Sequence, residues 1–282
     1  MIISEYLQIF EKRVFFDISY RGCGSGCVYC FTRAPEEEQQ LLPLSVIDEM
    51  CNYILSLDHS SELVVSFCPN TEPMKSAESR SLVLHAINRL HRTVRIIQIA
   101  TKELIPLSYL EQLNAISSKK GNIRISVSLP FLIGANNIEP FAASVNQRLQ
   151  NFINIKLFPR LLSVLYLRPF NIQMLHNQCA YEEIINQYLP DDVCLGAEFV
   201  KKVGLDETQY CTFMYDKGEA QSIFTRAEIE DIFTFADFLR THCGCKVFYS
   251  SICNISNSID YGFCLNLSQY DSRYCLDCDI CK

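Results

Sequence analysis

The sequence predicts an α/β fold, namely a partial (β/α)6 barrel with a small cysteine-rich appendage at its C-terminal end. Two observations carry this prediction. Apolar runs typical of buried strands alternate with amphipathic helical patterns over residues 13–200, which implies a parallel sheet with right-handed crossovers. The tail beyond residue 250 is rich in cysteine and shows no clear periodicity. We therefore predict a barrel over residues 1–215 and an extension over residues 216–282.

Local patterns define each element in turn. Short runs of β-branched and other apolar residues predict strands at residues 13–19, 62–68, 94–100, 122–129, 161–167 and 193–200. Apolar residues at helical spacing predict helices at residues 43–57, 82–90, 107–117, 144–157 and 181–188. The extension adds a helix at residues 225–240, capped by Thr225 with Glu228, and a strand at residues 246–250. A flat doubly wound sheet shows the same alternation, but six units fit an incomplete barrel better.

Composition narrows the range of functions. The 282 residues are 49% hydrophobic and carry a formal net charge of −7, which allows a full core and excludes a disordered, collagen-like or coiled-coil chain. The acidic balance argues against binding nucleic acid through bulk positive charge, although it is compatible with a groove that is locally basic. The sequence has neither a long apolar run nor a secretory signal, so we expect a cytoplasmic protein without a membrane partner.

Fifteen cysteines are the strongest chemical signal in the chain. Their odd number, without a secretory signal, argues against a disulfide scaffold, whereas clustered cysteines in a reducing compartment are usually metal ligands. The first cluster is Cys23, Cys27 and Cys30, in a glycine-rich loop directly after the first predicted strand. Loops at this end of parallel strands build the functional sites of α/β folds.

The spacing of this first cluster favours iron–sulfur chemistry. Three thiolates can hold three irons of a [4Fe–4S] cluster and leave the fourth iron open to another ligand. Gly22, Gly24 and Gly26 allow the backbone to fold tightly around such a cluster. The alternative is a structural zinc ion, which would need a fourth ligand, and the next cysteine, Cys51, lies 21 residues further along on a predicted helix.

The segment over residues 20–31, including the aromatic Tyr29 before the third cysteine, resembles the signature of the radical S-adenosylmethionine (SAM) superfamily. Further motifs over residues 13–175 are similar, in order and spacing, to the branch that contains spore photoproduct lyase and the DNA repair photolyase-like proteins. These motifs are Asn70-Thr71-Glu72-Pro73, Thr101-Lys102, Ser126-Val127-Ser128-Leu129, Glu139-Pro140, Arg148-Leu149 and Leu167-Arg168-Pro169. The resemblance implies the partial barrel of this superfamily.

The resemblance also implies an enzyme that cleaves SAM reductively to methionine and a 5′-deoxyadenosyl radical, which abstracts a substrate hydrogen. The methionine ammonium needs an acceptor, which Glu72 would supply. The methionine carboxylate needs a cation, for which Lys102 is the matching position and Arg148 a second candidate. The ribose hydroxyls need small polar partners, and Ser126 or Ser128 qualifies. An external electron donor such as flavodoxin or ferredoxin is a further implied partner.

Each of these assignments has a structural alternative. Glu72 would otherwise be a residue of an exposed turn, and Lys102 a solvated charge at a strand end. Arg148 would otherwise pair with a carboxylate on a helix surface. The two serines matter only if the face they share lines the barrel interior. The chain also departs from the common Gly-Gly-Glu-Pro form by having Asn70-Thr71, which weakens the case for backbone contacts there.

Cys68 ends the second predicted strand and should lie near the mouth of the site. Spore photoproduct lyases use a cysteine at about this level as a hydrogen-atom donor to a product radical, so the resemblance makes Cys68 a candidate catalytic residue. A buried structural cysteine is the alternative interpretation.

The tail carries a second cysteine cluster, Cys275, Cys278 and Cys281, for which Cys264 is the nearest fourth ligand in sequence. We predict an auxiliary [4Fe–4S] cluster, with zinc as the alternative. This extension is foreign to the spore photoproduct lyase pattern, so it favours a peptide or small metabolite as substrate. There are two alternatives. One is an enzyme that acts on a nucleobase, and the other is a non-catalytic iron–sulfur or zinc protein that senses redox state or serves as a scaffold.

Overall fold

The computed structural model describes residues 5–10, 13–27, 30, 37–168, 170–195 and 226–248. The chain divides into two compact units, one formed by Met1–Ser128 with Gly134–Ser163 and the other by Leu129–Ile133 with Val164–Lys282. The predicted boundary between residues 215 and 216 falls outside the described residues, so it stays a prediction.

The first unit is built on a sheet of β1 (Leu7–Phe10), β2 (Arg13–Phe16), β5 (Val64–Phe67), β6 (Ile96–Thr101) and β7 (Ile123–Ser128), in that order. The last four strands are parallel, and β1 is antiparallel to β2. A separate antiparallel pair consists of β3 (Ser19–Arg21) and β4 (Gln40–Leu41). The helices are α1 (Leu44–Leu55), α2 (Ala77–Leu90), α3 (Leu107–Ile116), α4 (Ala135–Ile138) and α5 (Val145–Lys156).

The second unit contains most of β8 (Leu161–Leu167), followed by α6 (Ile172–His176), α7 (Gln178–Tyr188), β9 (Asp192–Leu195), α8 (Arg226–Cys243) and β10 (Lys246–Phe248). Strand β9 pairs in parallel with both β8 and β10. Phe170 and Tyr181 pack against Phe235 of α8, which anchors that helix in the core of this unit. No helix in the described part of the chain is long and apolar enough to cross a bilayer.

The predicted alternation of strands and helices is confirmed, with ends shifted by a few residues. Two corrections concern the first strands of the chain. The structure breaks it after Phe16, and the chain re-forms β3 against β4 in the small second sheet, so the cysteine loop follows β3 rather than the main sheet directly. Strand β1 was not predicted, because a four-residue run containing a polar glutamine carries too little pattern.

The two faces of the sheet in the first unit differ in polarity. Strand register pairs Phe15 with Ser66, Ser66 with Gln98 and Gln98 with Arg124, so these side chains share one face. The opposite face is apolar, as the helices that cover a parallel sheet require, and includes Val65, Ile97 and Ile125. The sheet therefore presents one polar face, on which the residues of the site lie.

A chain of hydrogen bonds runs along this polar face. Arg13 donates to the Ser66 hydroxyl (3.2 Å) and to the Gln98 side-chain oxygen (3.3 Å). The Gln98 amide in turn donates to the Ser126 hydroxyl (3.3 Å). Ser126 and Ser128 thus lie on the polar face, as their predicted role as ligand contacts requires.

Candidate functional site

The cysteine loop is shaped by glycines in left-handed conformations. Gly22 has φ +73°, and a Cβ there would meet the backbone oxygens of Glu37 (2.8 Å) and, still closer, Glu38. The segment before β4 therefore folds back directly over the start of the loop. A backbone turn from the Cys30 N–H to the Cys27 oxygen (3.0 Å) closes the loop at its other end. Only glycine fits at position 22, because the backbone at residues 37 and 38 leaves no room for a Cβ.

Lys75 and Phe141 clamp the loop from outside. The stem of Lys75 passes 3.2 Å from the position of a Cβ at Gly24, and the Phe141 ring passes 2.7 Å from that of a Cβ at Gly26. Lys75 donates to Glu103 (2.8 Å) and to the backbone oxygen of Phe141. Sequence reasoning missed this clamp, because a lysine and a half-exposed phenylalanine carry no spacing signal before the loop is folded.

Glu72 is buried (4% exposed) and not part of an exposed turn. Its carboxylate accepts from the backbone N–H groups of Met74 (3.0 Å) and Lys102 (2.8 Å) and from the Thr101 hydroxyl. Burial raises the pKa of this carboxyl, and these hydrogen bonds oppose the rise. Glu72 thus ties the turn after β5 to the end of β6, and it retains acceptor capacity for one more donor.

Lys102 stands at the end of β6, with its ammonium 3.7 Å from a Glu139 carboxylate oxygen. Burial by itself would lower the pKa of Lys102, but the neighbouring Cys27, Glu139, Cys23 and Glu72 raise it above its ordinary value. The side chain is therefore a cation between the cysteine loop and two buried carboxylates, and not an isolated solvated charge.

Arg148 is buried (1% exposed) rather than on a helix surface. Its guanidinium donates to Glu139 (2.6 Å) and to the backbone oxygens of Ser128 (3.1 Å) and Ala143 (2.8 Å). One oxygen of Glu139 thus faces Arg148 and the other faces Lys102. Arg148 fixes the carboxylate against which Lys102 rests.

Comparison with known proteins gives matches to solved structures only: no family model matches the chain, and no curated protein matches it. A spore photoproduct lyase with bound AdoMet and dinucleoside spore photoproduct aligns over 84% of this chain and 76% of its own, with TM-score 0.57 and 14% identity. Streptococcus suis SuiB aligns over 94% and 55%, with TM-score 0.57 and 15% identity. The hydrogenase maturase HydG aligns over 87% and 53%, with TM-score 0.54 and 9% identity.

The chain has the fold of the radical SAM superfamily. This confirms the predicted α/β class and the partial barrel. At these identities the likeness establishes the fold, and the assignment of residues has to come from the site itself.

One buried polar atom tests whether a radical SAM ligand fits here. Gln39 donates its amide to the backbone oxygen of Glu72 (2.6 Å), so the opposite end of that side chain must be its oxygen. This oxygen is buried without a hydrogen-bond partner among the described residues. A buried acceptor of this kind is costly unless a donor arrives, and the SAM ammonium is such a donor. The site therefore fits SAM, and Gln39 was not singled out from the sequence.

The loop cysteines fit the ligand set of a [4Fe–4S] cluster, because three thiolates would each bind one iron and leave the fourth iron open. Among the described residues, no group of three or more His, Cys, Asp or Glu side chains is placed to hold a single metal ion. Burial raises the pKa of Cys23 to about 11, with Glu72 adding to the rise, so iron must displace its proton. The other predicted residues, namely Tyr29, Cys264, Cys275, Cys278 and Cys281, lie outside the described part of the chain.

Cys68 lies directly after β5, is 3% exposed and has φ +55°, a conformation that side chains other than glycine rarely adopt. Its backbone N–H donates to the Phe16 oxygen (2.8 Å), which brings it beside Asp17 at the end of β2. The Asp17 carboxylate is 6% exposed and accepts from the Asn70 side-chain amide (2.7 Å). Asp17 itself was not singled out from the sequence, although its neighbours Cys68 and Asn70 were.

Asp17→Asn is expected to stabilise the fold above about pH 6. Burial raises the pKa of Asp17 from 3.8 to about 6, so the folded state holds this proton more tightly than the unfolded chain does. Stability therefore falls as pH rises through this window, and the charged carboxylate costs up to about 3 kcal/mol above it. Urea unfolding should show the variant more stable at neutral pH and equal to the wild type below about pH 4. Equal stability at both pH values would contradict the prediction.

Proposed function

We propose that this chain is a radical SAM enzyme that cleaves SAM reductively at a [4Fe–4S] cluster and abstracts a hydrogen atom from its substrate. The observation that carries the proposal is the glycine-shaped loop of Cys23, Cys27 and Cys30 beside Lys102 and buried Glu72, in the fold of this superfamily. The cluster, when bound, supplies the electron that breaks the sulfur–C5′ bond of SAM.

The chain's own residues bind and orient SAM in this proposal. Cys23, Cys27 and Cys30 ligate three irons, and Tyr29 belongs to the same motif. The ammonium of the methionine part binds the Gln39 oxygen and the remaining acceptor site of Glu72. These two acceptors face a cation that has several N–H donors to satisfy, so the amino group is held in one orientation.

Lys102 binds the methionine carboxylate, and Arg148 acts behind it by holding Glu139 in place. The Lys102 ammonium lies 3.7 Å from Glu139, which is longer than a close hydrogen bond, and in this proposal it moves toward the incoming carboxylate. Ser126 accepts a hydrogen bond from the Gln98 amide, so its own O–H is left to donate to a ribose oxygen, with Ser128 as a second contact on the same face.

Cys68 is the proposed hydrogen-atom donor to the product radical. A left-handed backbone at a buried cysteine is strain of about 1–3 kcal/mol, and strain of this kind is concentrated at functional sites. A cysteine that only filled the core would need no such conformation.

The experiment for the proposed function is SAM cleavage by the anaerobically reconstituted full chain with a low-potential reductant. Equal amounts of 5′-deoxyadenosine and methionine are expected, with Cys27→Ala as the blank and exposed Cys179→Ser as the matched control that retains the products. Absence of 5′-deoxyadenosine from a chain with an intact cluster would refute the enzyme and favour the non-catalytic sensor or scaffold.

The tail is proposed to hold an auxiliary [4Fe–4S] cluster on Cys275, Cys278, Cys281 and Cys264. We expect about eight irons and eight acid-labile sulfides per chain after reconstitution, falling to about four of each in Cys278→Ala. About four irons in the wild type would refute the second cluster, and an added zinc ion in the same preparation would assign the tail to zinc.

The proposed substrate is a peptide or small metabolite, and an external flavodoxin- or ferredoxin-like donor would reduce the cluster. A nucleobase substrate is the second candidate, which the likeness to a spore photoproduct lyase holding a dinucleoside favours. Ultraviolet-irradiated oligonucleotide added to the SAM-cleaving chain separates the two. A repaired lesion, with 5′-deoxyadenosine formation above the substrate-free rate, assigns the nucleobase class, and an unaltered oligonucleotide excludes that lesion chemistry.

A further inference from the structure

The clamp formed by Lys75 and Phe141 contacts the cysteine loop at two neighbouring glycines. The ε, γ and δ carbons of Lys75 lie 3.2, 3.6 and 3.7 Å from the position of a Cβ at Gly24, so the whole stem runs along the loop backbone. The Phe141 ring passes 2.7 Å from the same position at Gly26, and the Phe141 N–H donates to the backbone oxygen of Ser25 (3.3 Å). The clamp therefore holds the part of the loop that lies between its first two cysteines.

The ammonium of Lys75 joins three segments of the first unit. It donates to the Glu103 carboxylate (2.8 Å) and to the backbone oxygen of Phe141, so it links the turn after β5 to the chain after β6 and after α4. The side chains of Lys75 and Glu103 are 27% and 18% exposed. Because an ion pair this close to solvent adds little to stability, its position across three segments is a better guide to its role than its strength.

Each of these three segments also carries a residue that the proposed function uses. The neighbours in sequence are Glu72 with Lys75, Lys102 with Glu103, and Glu139 with Phe141. The Ala143 N–H donates to the Lys102 backbone oxygen (3.1 Å), which binds the second segment to the third. The clamp is therefore anchored on the same stretches of backbone that carry the residues of the SAM site.

The proposed function requires the loop and the SAM site to act on one small molecule. The methionine part of SAM has to contact the pocket residues and the open iron at the same time. Attachment at two points strengthens binding only when both points can be reached together, and the gain is lost when their spacing is wrong. Glycines make the loop backbone permissive, so contacts from outside the loop have to fix that spacing.

We propose that Lys75, held by Glu103, is a positioning residue that keeps the cysteine loop in register with the SAM-binding residues. One SAM molecule can then bind the pocket and the open iron together. This inference rests on the proposed function and adds the residue that aligns its two parts. Lys75 acts through the backbone of the loop and of Phe141, and the ligands of iron and the pocket residues stay those already named.

The test is the gain in SAM affinity that the cluster provides. Equilibrium dialysis with SAM measures the dissociation constant of the full chain, first free of iron and then after anaerobic reconstitution, without a reductant so that SAM is not cleaved. In the wild type we expect the cluster to tighten SAM binding roughly tenfold or more. Lys75→Met keeps an apolar stem beside Gly24 and removes the ammonium. We expect this variant to lose most of the gain, with its iron content and the affinity of its iron-free form unchanged.

Two further lysine variants make the result specific to the clamp. Lys156→Met, at an exposed position in the last turn of α5, is the matched control that keeps the full gain. Lys75→Arg restores a cation that can donate to Glu103 and to the Phe141 oxygen, so it should recover the gain. Equal losses of affinity in the iron-free and loaded forms of Lys75→Met would overturn the proposal, because Lys75 would then act on the pocket itself. An undiminished gain in that variant would overturn it as well.

Glu103→Gln decides the matter if Lys75→Met takes up less iron than the wild type. This milder variant removes only the charge that holds the ammonium, so it should load fully and lose part of the gain. An unchanged gain in loaded Glu103→Gln would contradict the positioning role. Failure of the proposed function has a different signature: the cluster would give no gain in SAM affinity even in the wild type, since SAM would then not bind the open iron.

Discussion

Gly22→Ala is expected to leave the main sheet folded and to abolish cluster binding, and with it the formation of 5′-deoxyadenosine. A left-handed alanine costs roughly 1–2 kcal/mol by itself. The added methyl group would also meet the backbone oxygens of Glu37 (2.8 Å) and, more closely, Glu38. Backbone atoms cannot swing aside as a side chain does, so the segment that includes Gln39 must leave the loop, and the orphaned acceptor leaves with it.

Gly134→Ala distinguishes the effect of steric overlap at position 22 from the effect of a left-handed backbone alone. Gly134 has nearly the same φ (+70°), but a Cβ there meets nothing within 4 Å. We expect this variant to lose about 1 kcal/mol of stability and to bind iron as the wild type does. The measurement is iron and sulfide per chain after reconstitution, with circular dichroism as the check on folding. A fully loaded Gly22→Ala chain would show that the segment at residues 37–39 is not packed on the loop.

The sequence was informative where function imposes a spacing. The three cysteines and their neighbouring glycines predict a tight loop, and the structure requires Gly22 for a different reason, namely the backbone of residues 37 and 38 packed against it. Glu72 and Lys102 were predicted as site residues at strand ends, and the structure brings them together at the ends of β5 and β6. Both follow strongly apolar strands, whose ends are the most readable boundaries in a parallel α/β chain.

The residues that support these groups could not be predicted in the same way. Gln39, Lys75 and Asp17 act through partners 33, 28 and 53 positions away in sequence, respectively. Such pairs are defined by the folded backbone, and a single glutamine or aspartate has no periodicity that would mark it. The alternative predicted for Arg148, a carboxylate partner on a helix surface, was wrong about exposure for a related reason. The partner is Glu139, which is buried because the chain after α4 packs against α5.

Two cations meet the Glu139 carboxylate at different distances. Arg148 is held by three acceptors and fixes Glu139 on one side. Lys102 meets the other side of Glu139 at the longer distance of 3.7 Å and also lies near the cysteine loop. In the proposed function, an incoming carboxylate would bind Lys102 while Arg148 keeps Glu139 paired.

Arg148→Met is accordingly expected to destabilise the chain by about 3–5 kcal/mol, because it leaves the Glu139 carboxylate buried without its main partner. The remaining cation, Lys102, should then be drawn fully to Glu139, so SAM affinity should fall at least several-fold in the fraction that stays folded. Urea unfolding and equilibrium dialysis with SAM measure the two effects. Exposed Arg92→Met is the control, with a change within about 0.5 kcal/mol.

The double variant Glu139→Gln with Arg148→Met decides whether Arg148 acts by pairing with Glu139 or by binding SAM itself. Without either charge, no unpaired carboxylate remains, so much of the lost stability should return. Lys102 would also be released from Glu139, and SAM affinity should recover relative to Arg148→Met alone. If stability returned while SAM affinity stayed low, the guanidinium itself would be the group that binds the SAM carboxylate, and Arg148 rather than Lys102 would hold that role.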